Sequence, residues 1–250
     1  MKPINTIDEV IDALQNIIDE SIHNQETFGY FVALYLKVTK EVKIGIAENR
    51  FENGPRMEKL DVIFAKRYID AYYNYRQNKS ITSSWKKAFN ISDSYWPIVL
   101  QHLLIGMNAH INLDLGIAAA EVSKNHPIEN LKKDFDTINT ILSSLVNDVE
   151  KDLSEIYPFL KKILKYTKKV DNFLVDFSME IARDGAWNFA VELSKTEGSK
   201  FEKTIESRDK KVADTARIII NPGLIVNIIF VIIRLGERGS VKQKVMDLMK

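Results

Sequence analysis

The stretch QHLLIGMNAHINLDLGIAAAEV, residues 101–122, decides the fold. Its apolar residues recur at spacings of three and four, the period of an α-helix. Two histidines, two asparagines and an aspartate interrupt it: His102, Asn108, His110, Asn112 and Asp114. Each costs about 1–3 kcal/mol to bury without a partner. Gly106, Ala109, Gly116 and Ala118 to Ala120 let neighbours approach closely, at some cost in helix propensity. The stretch reads as the central apolar helix of a bundle, spanning about residues 95–122. Its polar groups must then be completed from other helices.

A helix turns roughly 100° per residue. With His102 as origin, His110 falls near about 80° and Asp114 near about 120°, one turn apart on a shared face. His102 lies two turns before His110, on the adjoining edge of that face. Asn108 and Asn112 form a second ladder that points away. Two readings follow. His-x3-Asp can place imidazole nitrogen and carboxylate oxygen on one divalent cation, zinc, iron or manganese. Alternatively Asp114 accepts a hydrogen bond from His110 while the asparagines bond neighbouring backbone, a buried structural network.

Working outward, the same helical period runs through almost the whole chain, with no run of strand-like alternation and no hairpin signal. The 250 residues, 45% of them hydrophobic, suffice for one large core. The fold class is therefore all-α, a single multi-helix domain over 1–250, with helices of 196–250 packed on the rest. A capping box, Thr6 with Glu9, opens the first helix, which runs to about Ser21. The second covers Phe28 to about Ala47 and the third begins near Arg56. A short helix follows a Thr82 or Ser83 cap. Pro97 falls in the first turn of the central helix. A long helix from Pro127 is interrupted or kinked at Pro158, and another covers about Asp171 to Lys195. Asn221-Pro222 opens an apolar final helix, read as buried.

Composition excludes several functions. The 35 basic and 34 acidic residues nearly cancel, so no nucleic-acid footprint exists. Without cysteine there is no disulfide and no thiolate chemistry. The run GLIVNIIFVIIRLG, 223–236, is shorter than the roughly 20 residues a bilayer span needs. The acidic N-terminus is unlike a signal peptide. A cytoplasmic protein without a transmembrane segment is expected.

Two other segments offer partners to the central helix. In RMEKLDVIFAKRYIDAYYNYR, Asp61, Ala65, Tyr68 and Tyr72 share one stripe, while Arg67, Asp70 and Asn74 lie near the opposite one. In DNFLVDFSMEIARDGAWNFAVEL, Asp176, Glu180, Arg183 and Trp187 share another. Asp61 is the second-helix carboxylate expected for a metal held by His102, His110 and Asp114. Tyr68 would donate a proton or hydrogen bond, and Arg183 would hold an anionic substrate through its planar fork. Asn108, Asn112, Asp70 and Trp187 would line the ligand or complete the network.

These segments together resemble a bacterial family of unassigned function, on LLIGMNAHINLDL with RMEKLDVIFAKRYIDAY upstream and FSMEIARDGAW downstream, over roughly 56–195. The resemblance implies a helical fold with a common polar centre and brings no activity. A fainter resemblance, to the helical zinc phospholipase C and P1 nuclease group, rests on the order His102, Gly106, His110. Met107 stands where that pattern has aspartate, and its proline is absent. The four histidines, His23, His102, His110 and His126, support at most one or two metal ions. The functions in play are a metal-dependent hydrolase and a non-enzymatic module for a small molecule or lipid.

Overall fold

A computed structural model describes residues 3–158 and 179–250, and every regular element among them is helical. Helix α1 (Ile7–Asn24) opens on the Thr6/Glu9 capping box and ends at Gln25, which takes the left-handed conformation. Helix α2 is Phe28–Ala47. Helix α3 (Gly54–Arg76) starts where the Asn53 side chain accepts from the Arg56 N–H, with Pro55 in the first turn. Helix α4 is Ser83–Asn90.

Helix α5 (Val99–Ala109), a π-helical turn (His110–Leu115) and α6 (Gly116–Val122) form one rod. Helix α7 (Lys132–Ile156) follows a 3-10 turn at Ile128–Leu131. Then come α8 (Met179–Leu193), α9 (Gly198–Ile220), α10 (Leu224–Gly236) and α11 (Val241–Leu248).

The rod is the centre of the bundle. Its α5 portion packs on α2, α4 and α9, the π turn on α3, α8 and α9, and α6 on α3 and α8. Its 24 residues are apolar enough to resemble a membrane span, yet 83% of its most apolar window is buried inside the molecule. Glycine makes that enclosure possible. A methyl group at Gly116 would stand 2.6 Å from the Phe189 ring and 2.9 Å from the Ala186 carbonyl oxygen of α8. No side chain fits there, so the two helices meet backbone to backbone.

Several boundaries differ from the sequence reading. Pro97 precedes the rod, which begins at Val99. Its first N–H groups are satisfied by side chains: Val99 N donates to Glu237 Oε1 at 2.7 Å and Ile98 N to Gln101 Oε1 at 3.1 Å. The long helix is interrupted just ahead of Pro158, one of the two outcomes expected there, since α7 ends at Ile156 with Tyr157 extended. The expected helix start at Asp171 lies outside the described residues. The apolar helix read as buried is α10, and it buries only Val226, Phe230 and Ile233. It is not the last helix, since α11 follows.

Candidate functional site

The site grows from the π turn. Such a turn closes i→i+5 hydrogen bonds and shifts the residues after it relative to a regular helix; it is often found where function sits. Here it carries His110 and Asp114, which are 3% and 0% exposed. His110 Nδ1 stands 3.2 Å from Asp114 Oδ2. Trp85 of α4 donates its indole N–H to the same oxygen at 2.8 Å, and Arg67 of α3 donates Nε–H to Oδ1 at 2.7 Å. One carboxylate therefore ties α3 and α4 to the rod.

Electrostatics follow from this enclosure. Burial pushes the Asp114 carboxyl up, but the Arg67 charge and the His110 and Trp85 hydrogen bonds outweigh it, leaving the group below its ordinary value. Burial lowers the His110 imidazole more than Asp114 raises it. A neutral imidazole beside an ionised carboxylate places its proton on Nδ1. Nε2 is then left as an acceptor, and it is buried without a hydrogen-bond partner.

An aromatic box surrounds that nitrogen. Phe64 stacks on the imidazole at 3.6 Å between centroids, and Tyr35 meets it edge-on at 4.5 Å. Phe31, Tyr68 and Trp85 lie within 6.1 Å. The Tyr35 hydroxyl makes no hydrogen bond, although the Thr39 hydroxyl stands near it. Burial, then the Asp61 and Asp114 charges, raise that phenol far above its usual range. Asp61, one turn before Phe64, leaves Oδ2 unpaired. Burial, with the charge of Glu58 added, raises its carboxyl to about 7.

The residues singled out in the sequence thus separate into groups. His110, Asp114 and Tyr68 meet in the box, and the charge of Asp61 acts on its Tyr35. His102 stands apart, two turns along the rod, edge-on to Tyr30 at 5.4 Å. Burial and the charges of Arg234 and Lys244 lower it to about 3. The four groups expected around one metal therefore do not converge. Among the described residues no three His, Asp or Glu side chains are placed to hold an ion.

On the other ladder, Asn108 donates to the Val212 carbonyl of α9 at 2.9 Å, and Asn112 donates to Asn108 at 3.2 Å. Asp70 lies exposed on the outer side of α3. Arg183 is buried over the Phe135 ring and donates to the Phe135 carbonyl, with its guanidinium lowered to about 10 by burial. Trp187 packs on Phe135 at 5.1 Å. Both face α7 and make no contact with His110. Asp176 and the Glu180 side chain lie outside the described residues.

Sequence reasoning missed Trp85 as a partner of Asp114, and it left open whether the Arg67 stripe of α3 or the Tyr68 stripe faces the rod. A tryptophan in the short SSWKKAF helix was the available signal for the first. Arg67 sits on the flank of α3 and reaches the rod only because its stem is long.

The chain belongs to a family of unknown function, DUF5995, whose model matches residues 7–222. That match extends well beyond the 56–195 segment on which the sequence resemblance was drawn. No curated protein and no solved structure matches the chain.

Proposed function

We propose that the chain is a non-enzymatic helical module that holds a small molecule between α2, α3 and the π turn, with Asp114 as its internal brace. One observation carries this reading. Both Asp114 oxygens are occupied by protein donors, while His110 Nε2, the Tyr35 hydroxyl and Asp61 Oδ2 remain buried and unpaired. Buried polar atoms almost always have partners in native proteins. A guest that donates a hydrogen bond to His110 Nε2 and lies along the aromatic box would supply them. A neutral acceptor, a phenol and a carboxyl able to hold its proton near neutrality suit an uncharged polar guest better than an anion.

A metal-dependent hydrolase, using zinc, iron or manganese, is the second reading, and His110 Nε2 favours it as the imidazole nitrogen free to coordinate. It is also where the likeness to the zinc phospholipases points. A cation there would have His110 Nε2 but would need further donors, since Arg67 and Trp85 already claim Asp114.

Native mass spectrometry of the purified protein, paired with elemental analysis, separates the two. The binding module retains an organic adduct that unfolding releases and that His110→Phe abolishes. Asp114→Asn costs about 3–5 kcal/mol of stability, because Arg67 loses its ionised partner beside the buried network. A stoichiometric divalent metal, with chelator-sensitive hydrolysis of p-nitrophenyl phosphate, would overturn the binding reading in favour of the hydrolase.

A further inference from the structure

Helix α10 turns the wrong face outward for a protein surrounded only by water. Leu224, Ile225, Ile228, Val231, Ile232 and Leu235 are exposed along it, Leu224 by 77% and Leu235 by 68%. Spacings of three and four put most of them on one stripe. The loop before the rod adds Tyr95 and Trp96, 63% and 55% exposed. That loop is fixed beside α10, because Arg234 donates to the Tyr95 carbonyl at 2.6 Å and lies 4.5 Å over its ring. Ile218, near the end of α9, is exposed as well. Contiguous apolar patches of this kind mark contact surfaces rather than ordinary exterior.

We propose that this face docks on the surface of an anionic lipid bilayer, with α10 lying in the interface plane. Three features select lipid over another protein copy. First, aliphatic residues flanked by a tyrosine and a tryptophan form the composition that settles at the boundary of headgroups and acyl chains. Second, the aliphatic side chains form a ridge on one helix, six of them projecting from the 13 residues of α10. Such a ridge sinks into a lipid interface, whereas a protein partner would have to offer a matching groove.

Third, the rim at its C-terminal end is cationic. Glu237 is enclosed between Arg234 and Lys244, each at 2.8 Å, so Arg238 and Lys242 are the charges left facing water there. Asp214 is paired with Arg217, and within the segment 91–98 that carries Tyr95 the acid is Asp93. The helix itself is too short to cross a bilayer, so it lies on the membrane. Helix α10 begins beyond the 7–222 span that the family model matches, whereas Tyr95, Trp96 and Ile218 lie within it.

Sedimentation of the full chain with phosphatidylcholine vesicles, with and without phosphatidylglycerol, tests the proposal. The anionic vesicles retain the protein and shift Trp96 emission to the blue, and a Trp96→Phe variant loses that shift. Ile228→Ser with Ile232→Ser weakens binding by about tenfold per side chain, with an unchanged far-UV spectrum. Arg238→Gln with Lys242→Gln leaves the apolar stripe intact and weakens binding to the anionic vesicles by about thirtyfold, the effect of two cations at such a surface. The proposal is overturned if neither vesicle retains the protein, if both retain it equally, or if the serine variants instead dissolve a dimer of the wild-type chain. None of these outcomes bears on the organic adduct expected at His110.

Discussion

Asp61 and Asp114 are two buried carboxylates whose charges both act on Tyr35 of the aromatic box, and their surroundings push them in opposite directions. Asp114 meets three donors from three elements and stays ionised. Asp61 has only burial and a neighbouring glutamate, so it is raised to about 7. The contact between His110 and Asp114 was legible, because four residues on a helix bring two side chains together whatever surrounds them. That Asp114 would be shared with Trp85 and Arg67 was not, since neither spacing nor composition fixes which distant side chain reaches a point. The difference between the acids has a pH signature. A carboxyl raised from 3.8 to about 7 in the folded protein stabilises it fully only below the unfolded value. That stability is lost as pH rises from about 4 through about 7. Asp61→Asn removes the titration. Urea denaturation at pH 5 and pH 8 is expected to show the variant gaining on the wild type at the higher pH, by at most about 3 kcal/mol. An equal difference at both pH values would mean that Asp61 is not held in this way.

At the scale of elements, helix starts here depend on carboxylates borrowed from elsewhere in the chain. Ile7 N donates to Glu58 of α3 at 3.2 Å. Asp134 of α7 receives Glu52 N and Asn53 N ahead of α3 and the Arg56 guanidinium in its first turn. Asp209 of α9 receives Ser83 N at 2.7 Å and Ser84 N at 2.9 Å, capping α4 from 125 residues away. Local signals made the start of α1 readable, since Thr6 and Glu9 lie within one turn of each other. The start of α4 was readable in position but not in mechanism: Thr82 occupies the cap, yet its hydroxyl makes no capping hydrogen bond. The π turn escaped altogether, because a projection at a fixed angle per residue assumes the regular helix that His110–Leu115 departs from. Asp209 also holds Trp85 indirectly, by fixing the helix that carries it. Asp209→Ala is therefore expected to lower unfolding free energy by about 1–2 kcal/mol, with Asp209→Asn recovering part of the loss. Chemical denaturation followed by Trp fluorescence reads both. A null effect in the alanine variant would assign the cap of α4 to solvent instead.

At the scale of the molecule, the bundle is closed at one end by a segment that the family model does not span. Helices α10 and α11 contribute Val226, Phe230, Ile233, Val245 and Leu248 to the same core that holds Tyr68, Trp85 and Leu103. Glu237, between them, joins three parts of the fold: it caps the rod at Val99 and accepts from Arg234 and Lys244. The all-α class and the central position of residues 101–122 came directly from helical periodicity, which reports a buried face without saying what covers it. For α10 that same limit misled, because a helix apolar on both sides has one face for the core and one for something outside. The closing role of Glu237 makes a sharp test of how far the C-terminal segment belongs to the core. Glu237→Gln keeps the shape and an acceptor for Val99, but leaves the Lys244 ammonium, 4% exposed, without a counter-charge. The loss is expected to be about 3–5 kcal/mol, and Glu237→Gln with Lys244→Met, which removes both charges, restores most of it. If the single variant is as stable as wild type in urea, Lys244 must find water on unfastening, and α11 is an appendage to the bundle instead of part of its closure.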